Sequence, residues 1–348
     1  MRVTVTGASG LIGSALVAEL RGRGAQVTVL SRDPSRAREA LGVEAVGWDP
    51  LGEPAPVRAL AGADAVVNLA GENIAQRWSA RAKRAIRESR VVGTRNLIAG
   101  LKAAGEAERA AAGEGGNQGN EGGEGNERGK GNEGGNWAGG EGGGEAGREG
   151  GRGRSRILIS GSAVGYYGPR GEEPLDEDSP AGNDFLAETC VAWEAEARRA
   201  EALGMRVVVV RTGVVLDRDG GALAKMLPPF RLGVGGPVAG GEQYMSWIHR
   251  DDLVGMICAA LEDERWDGPV NGTAPAPARN REFSHALGHA LHRPSLLPVP
   301  GFALGLLYGR MAEIVTTGAR AMPAKPLVLG YEFRHPELGE ALQSALGT

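Results

Sequence analysis

The opening residues MRVTVTGASGLIG constrain this chain more than any other stretch. A short apolar run over 2–7 leads through Gly7, Gly10 and Gly13, spaced three apart. Leu11, Ile12, Ala15, Leu16 and Leu20 then fall at helical spacing on one face. Strand, glycine turn and helix in that order make a cradle for a dinucleotide diphosphate. The glycines let the backbone turn tightly and approach the phosphates. The first helical N–H groups, those of Leu11 and Ile12 among them, meet the phosphates with the positive end of the helix dipole.

The rest of the chain keeps the same rhythm. AQVTVLSR (25–32), DAVVNLAG (64–71), RILISGSA (156–163) and MRVVVVRTGVVL (205–216) read as further strands, and 79–105 as a long helix. Strands that are apolar throughout, alternating with helices, predict an α/β fold. The expected form is a Rossmann-like, doubly wound parallel sheet covered on both faces. A smaller C-terminal substrate or lid domain is expected beside it. The expected boundaries are 1–105, 154–213 and 244–272 for the nucleotide-binding domain, and 214–243 with 273–348 for the smaller one. LPPFRLGVGGPVAGGEQ (227–243), rich in Gly and Pro, suits a loop over a pocket, where Arg231 is either an anion ligand or a solvated charge.

Residues 106–153 break the pattern. Gly, Glu, Asn and Arg dominate, and GNEGGE, GNERGK and GNEGGN follow one another from Gly119. A hexapeptide coil needs apolar residues in its bore, and apart from Trp137 there are none. The composition predicts a disordered insertion. It joins a helix to a strand, so it should leave the sheet at the amino edge, away from the ligand crevice at the carboxyl edge. Its deletion is then expected to leave cofactor affinity and melting temperature nearly unchanged.

Charge and cysteine content narrow the function. The net charge of −4 over 348 residues gives no basic field for nucleic acid. No apolar run nears the ~20 residues of a membrane span. The two cysteines, Cys190 and Cys258, lie far apart without zinc-ligand spacing, and His285, His289 and His292 lack nearby acidic or sulfur ligands, so no metal is expected. The expected setting is the cytoplasm, or an organelle matrix or stroma if a transit peptide has been removed. A small-molecule substrate is the expected partner, and a homodimer is left open.

The second strand identifies the dinucleotide. An acid at its end would bind a ribose hydroxyl and select NAD. Ser31 stands there instead, followed by Arg32, and a hydroxyl with a guanidinium suits a 2′-phosphate. NADP is favoured, with Asp33 one residue later weighing against it.

TGASGLIG, VVNLAGENI, ISGSAVGYYG, FLAETCVAWEAEA, VVVRTGVVL and SWIHRDDL together resemble the extended short-chain dehydrogenase/reductases. The tail segments NGTAPAPARNREFSHALGHALHRPSLLPVP and LVLGYEFRHPELGEALQSAL narrow this to the atypical NADP-binding epimerase family branch. The resemblance implies that Leu69 and Ala70 lie beside the adenosine half of the cofactor and Val214 near the nicotinamide. Gly71 and Ser160 are placed with them among the cofactor-binding residues.

Typical relatives use a Ser, a Tyr-x-x-x-Lys pair and an Asn, with Tyr as acid/base and Lys lowering its pKa. Ser162 is retained, as a polariser of a substrate oxygen or as a turn serine. Anchoring the comparison on Glu194 puts Leu186 at the tyrosine and Cys190 at the lysine. No Tyr or Lys occurs between Gly168 and Gly204, so no shift of register restores the pair. Arg90 takes the place of the Asn, and the resemblance gives it a cofactor contact, since a guanidinium clamps phosphate or ribose and does not shuttle protons. Tyr166, and after it His249, are the candidate replacement acids, with Tyr167 beside the first. Asp251 or Asp252 is expected to cap the helix after His249, and Cys190 to be buried on an apolar helix face. The activity implied is that of an NADP(H)-dependent oxidoreductase or epimerase acting on a polar or nucleotide-linked substrate. The competing reading is a protein that holds NADP(H) without turnover, as a sensor or scaffold.

Overall fold

The computed structural model describes residues 1–115, 156–295, 297–298 and 316–347. Its centre is a seven-stranded, wholly parallel sheet. In chain order the strands are β1 (Arg2–Thr6), β2 (Gln26–Ser31), β3 (Glu44–Gly47), β4 (Ala65–Asn68), β5 (Ile157–Ala163), then, after a two-residue β6 (Pro174–Leu175), β7 (Arg206–Thr212). The strand β8 (Val214–Leu216) and two-residue β9 (Tyr244–Met245) precede β10 (Trp247–His249) and β11 (Gly268–Gly272). The sheet order is β11-β7-β5-β4-β1-β2-β3, so the winding reverses between β1 and β4. In such sheets ligands bind in the crevice outside the carboxyl ends of the strands, at that reversal.

Alternation along the strands feeds two cores. Val3, Val5, Val67, Ile159 and Val208 face α1 (Leu11–Gly22) and, through Met256, Ile257 and Leu261, the helix that follows β10. Val66, Leu158, Val207 and Val209 face the opposite layer. There α3 (Val57–Leu60), α4 (Ala80–Gly115) and α5 (Phe185–Arg198) pack, whereas α2 (Pro34–Leu41) lies on the α1 side through Ala37. Buried residues on both faces explain why the strands read as continuous apolar runs. A third core joins α6 (Gly221–Arg231), α8 (Asn280–Ala290) and the C-terminal helix Leu338–Leu346 through Leu223, Leu227, Phe230, Phe283, Leu287 and Leu342. The helix after β10 is α7 (Arg250–Glu262). Among the described residues no helix is long and apolar enough to cross a membrane.

Three features differ from expectation. The stretch 205–216 is two strands, because the chain leaves the main sheet at Gly213. A Cβ there would lie 2.4 Å from the Ser246 carbonyl oxygen, and β8 goes on to pair with β10 instead. The cap of α7 is His249, whose Nδ1 accepts from the Asp251 N–H at 3.2 Å. Asp252 is fully buried and accepts from the Arg334 and His335 N–H groups at 2.6 and 3.0 Å, fastening the C-terminal segment.

Residues 106–115 of the expected insertion continue α4, and 116–153 lie outside the described residues. Glu108 on that last stretch accepts from the Gly62 N–H at 2.5 Å and pairs with Arg156 at 3.1 Å, at the amino edge of the sheet. Deleting 106–153 removes these contacts, so a melt should show a modest loss that a deletion starting at 116 avoids. Equal melting temperatures for the two deletions would show that Glu108 contributes nothing.

Candidate functional site

The turn after β1 is shaped by close backbone approach. Gly7 has a φ of +69°, and a Cβ on it would lie 2.6 Å from the Leu69 carbonyl carbon and oxygen. A Cβ on Gly13 would lie 2.3 Å from the Gly7 carbonyl oxygen. The two glycines therefore press α1 and the end of β4 onto the turn. Gly10 is the N-cap of α1 and supplies no side-chain acceptor, so the first N–H groups of the helix keep no partner from a cap. A Cβ on Gly220 would touch Leu11 Cδ1 at 3.1 Å, so the turn before α6 faces the glycine loop across the crevice.

The floor at the reversal point is a buried hydrogen-bonded chain. Thr6 Oγ1 donates to Asn68 Oδ1 at 2.7 Å and accepts from the Ala70 N–H at 3.2 Å. Asn68 Nδ2 donates to Thr94 Oγ1 at 2.9 Å, tying β4 to α4. Leu69 and Ala70 are half-buried and Gly71 is exposed. At the end of β2 the Asp33 N–H donates to Ser31 Oγ at 3.2 Å, and Asp33 caps α2 by accepting from the Arg36 N–H at 3.0 Å. That role accounts for Asp33 without a ribose. Arg32 is exposed and forms no hydrogen bond or ion pair with any described residue, and Arg36, one turn on, offers a second exposed guanidinium that sequence reasoning passed over.

Arg90 lies directly beneath Gly71, where a Cβ would be 3.1 Å from its Cζ. It donates to the Glu72 and Ile86 carbonyls at 3.0 and 3.1 Å and covers the Trp193 ring at 5.2 Å. Burial lowers its pKa from the ordinary arginine value. The Trp193 indole N–H is buried without an acceptor among the described residues. Ser160 is buried, and Val214 is half-buried at the start of β8.

The region where the resemblance looks for acid/base chemistry is a packed polar network. Ser162 Oγ donates to Glu194 Oε1 at 2.7 Å. Glu194 is held by Arg211 through two bonds, Nε to Oε1 at 2.9 Å and a terminal nitrogen to Oε2 at 3.0 Å. Arg211 also donates to the Tyr167 hydroxyl at 3.1 Å and lies flat on the Tyr166 ring, 3.4 Å from its centroid. The Tyr167 hydroxyl meets Asn271 Oδ1 at 2.7 Å, and burial pushes its pKa up to about 12. Glu177 extends the network to the C-terminal segment by accepting from the Asn271 and Lys325 N–H groups at 2.9 and 3.1 Å. Burial also pushes the Cys190 thiol up to about 11, so it stays protonated at neutral pH. Tyr166 is half-buried, and its hydroxyl bonds to no described residue.

The structure thus brings Ser162, Cys190 and Glu194 together, with Tyr166 next to them over Arg211, while the His249 ring meets that of His335 at an interplanar angle of 42° with centroids 3.9 Å apart. His249, Asp251 and His335 hold donor atoms within 4.8 Å of one another. The Nδ1 lone pair of His249 is already used by the α7 cap. Glu194, Arg211 and Asn271 were missed as members of a site, and Tyr167, named beside Tyr166, turns out to be tied into the buried network.

Comparison with known proteins follows the same outline. The family model "NAD dependent epimerase/dehydratase family" matches residues 3–271, and a "domain of unknown function (DUF1731)" matches 299–345. An Arabidopsis thaliana protein described as a chloroplastic homologue of epimerase family protein SDR39U1 is 37% identical over 347 residues, covering 99% of this chain and 87% of its own. The crystal structure of human epimerase family protein SDR39U1 (isoform 2) with NADPH is 33% identical, covers 100% of both chains and superposes with a TM-score of 0.76. Thermus thermophilus UDP-glucose 4-epimerase in complex with NAD, 19% identical with a TM-score of 0.70 over 99% of this chain and 98% of its own, shares the fold. Matches that run through the nucleotide cradle, the strands and the tail place this chain in the NAD dependent epimerase/dehydratase family, an extended short-chain dehydrogenase/reductase with a DUF1731 tail.

Proposed function

We propose that the protein binds NADP(H) across the carboxyl edge of the sheet and acts as an oxidoreductase or epimerase on a small polar or nucleotide-linked substrate. The observation that carries this is the cradle. Gly7 and Gly13 leave no room for a Cβ, which lets the turn and the start of α1 close around a diphosphate. Leu11 and Ile12 then present N–H groups to it, while the Gly10 N–H closes the turn on the Gly7 carbonyl at 3.0 Å and Gly10, without a side chain, lets the diphosphate approach. Leu69, Ala70 and Gly71 flank the adenosine half, and Ser31 with the unpaired Arg32 meets the 2′-phosphate. Arg90, Ser160 and Val214 line the nicotinamide half. Bound there, the cofactor supplies a hydride carrier. This chain's own residues orient it and hold protons nearby. The NADPH bound to the human relative supports the choice of cofactor.

Ser162 and Tyr166 are the proposed groups at the reacting oxygen. The Ser162 hydroxyl donates its hydrogen bond to Glu194, so its lone pairs are left to accept from a substrate hydroxyl. Tyr166 keeps an uncommitted phenol. The arrangement thus suits an alcohol held by Ser162, with Tyr166 as proton partner. One observation favours the second reading, a holder of NADP(H) without turnover. Leu186 and the protonated thiol of Cys190 stand where relatives place their acid/base pair, and neither moves protons at neutral pH. Single-turnover assays with NADPH or NADP⁺ and a panel of carbonyls, alcohols and sugar nucleotides separate the two readings. Oxidation or reduction of the coenzyme that fails in Tyr166→Phe supports the first, and an inert panel with tight coenzyme binding supports the second.

Arg32→Asp tests the cofactor reading. Losing a charge-assisted phosphate contact should weaken NADPH by roughly 10–100-fold while NADH changes by less than about threefold. Fluorescence titration measures both. An equal loss for the two coenzymes would show that Arg32 does not face the 2′-phosphate.

A further inference from the structure

Helix α4 carries a row of polar side chains whose outer cations the cofactor does not use up. Lys83, Arg87, Arg90 and Thr94 follow at spacings of four, three and four, which puts them on one helical face. The inner end of the row is fixed: Thr94 bonds Asn68 at the floor, and Arg90 sits under Gly71. Arg87 reaches the Glu188 carbonyl on α5 at 3.4 Å. Lys83 is the outer member, on the first turn of α4, which Ser79 caps by accepting from the Ala82 N–H at 3.1 Å. The first turns of α4 and α5 both lie at the carboxyl edge of the sheet, where the crevice opens.

The surroundings of Lys83 are unusual for an ammonium. Its Nζ lies 5.3 Å from the Trp78 ring centroid and 4.7 Å from that of Phe185, and those two rings meet edge to face at 5.3 Å. The side chain is half-buried, and no described carboxylate or carbonyl accepts any of its three N–H bonds. Aromatic faces hold the charge in place but leave every donor unspent. Phe185 is the first residue of α5. Arg77, Arg81 and Arg84 are exposed around the same turn, again without ion-pair partners among the described residues, although the whole chain is net acidic.

We propose that Lys83, walled by Trp78 and Phe185, is a substrate-binding residue that takes the anionic group, a carboxylate or a phosphate, of a small substrate whose other end reaches the nicotinamide side of the crevice. This rests on the cofactor reading above and adds the substrate class to it. Arg77, Arg81 and Arg84 raise the local concentration of such an anion, and Lys83 fixes it. The aromatic walls exclude water from the contact, which makes the charged hydrogen bonds stronger than on an open surface.

The test uses the full chain loaded with NADPH, with malonate and inorganic pyrophosphate as probes for the two anion types. Calorimetric titration with each probe is repeated on Lys83→Met, on Lys83→Arg and on Arg84→Gln. Lys83→Met should weaken the preferred probe at least about tenfold, the size expected for a lost charge-assisted contact, while Lys83→Arg keeps most of the affinity. Arg84→Gln should cost less than about threefold and show its effect mainly at low salt. The NADPH affinity of each variant, measured first by Trp-to-NADPH energy transfer, should match that of the parent. Failure of all forms to take NADPH defeats the cofactor reading while leaving the Lys83 comparison readable on the apoprotein. Wild-type protein that binds neither probe, or Lys83→Met that binds as the parent does, overturns the assignment.

Discussion

Gly13→Ala should weaken NADPH binding by on the order of 100-fold or more and lower stability as well. The added methyl would sit 2.3 Å from the Gly7 carbonyl oxygen, 2.7 Å from Ala8 Cα and 2.9 Å from the Gly7 carbonyl carbon. All three atoms are backbone, so no side chain can swing aside. The remaining response is for α1 to move off the turn. That helix is anchored by Leu16, Val17 and Leu20, each at most 1% exposed, so moving it disturbs the main core. Overpacking of this kind costs about 1–3 kcal/mol. The larger effect falls on the ligand. The N–H groups of Leu11 and Ile12 travel with the helix, and a diphosphate held by several charge-assisted bonds of about 1.5–3 kcal/mol each loses on the order of 100-fold or more in affinity. Gly22→Ala is the control. It adds a methyl to the same helix with nothing within 4 Å, and should stabilise by about 0.5–1 kcal/mol with binding unchanged. Thermal melts and coenzyme fluorescence titrations read both quantities. Parental affinity in Gly13→Ala would mean that the turn does not hold the diphosphate.

That prediction uses the part of the molecule most legible in the sequence. Residues 2–13 announce strand, turn and helix because each local requirement repeats the same message, and the family matches agree with the reading. Two sheet strands were not legible. Glu44–Gly47 is a four-residue edge strand with only its two middle residues buried, and Gly268–Gly272 reads GPVNG, whose glycines and proline signal a loop. Both exist because a neighbouring strand offers a row of unpaired backbone groups, which is a tertiary cause invisible to a short window. The break at Gly213 is equally tertiary, since only the approach of Ser246 demands it.

The site was half legible for a similar reason. Residue types that bind phosphate announce themselves through spacing, as the glycine turn does. Networks assembled from distant segments do not. Arg211, Glu194, Tyr167 and Asn271 come from β7, α5, the loop after β5, and β11. One signal was there to be used: VVVVRT carries a single charge inside a strand that is otherwise apolar, and a buried guanidinium requires a carboxylate partner. Glu194 is the one acid on α5 that falls on its buried face, beside Cys190 and Trp193. Reading α4 by helical spacing would likewise have joined Lys83 to Arg90.

Glu194→Leu should destabilise the protein by about 3–5 kcal/mol, the size expected when one member of a buried pair is removed. Arg211 and Glu194 have side chains only 2% and 5% exposed, and removing the carboxylate strands a guanidinium that cannot shed its proton. Arg211→Met should cost less, because the abandoned carboxylate keeps the hydrogen bond from Ser162. The double variant Glu194→Leu with Arg211→Met leaves no stranded charge and should recover much of the single losses. Urea unfolding of the four proteins closes the cycle. Losses that simply add would show that the two groups do not act as a pair. The same cycle carries information about the site, because Arg211 is also the platform beneath Tyr166. If Tyr166 donates the proton to the reacting oxygen, Arg211→Met should lower turnover beyond what its stability loss explains, since the phenol then loses the cation that holds its ring in place. Turnover that follows folded fraction alone, in all four proteins, would instead assign the pair to the fold and leave Tyr166 to act without it.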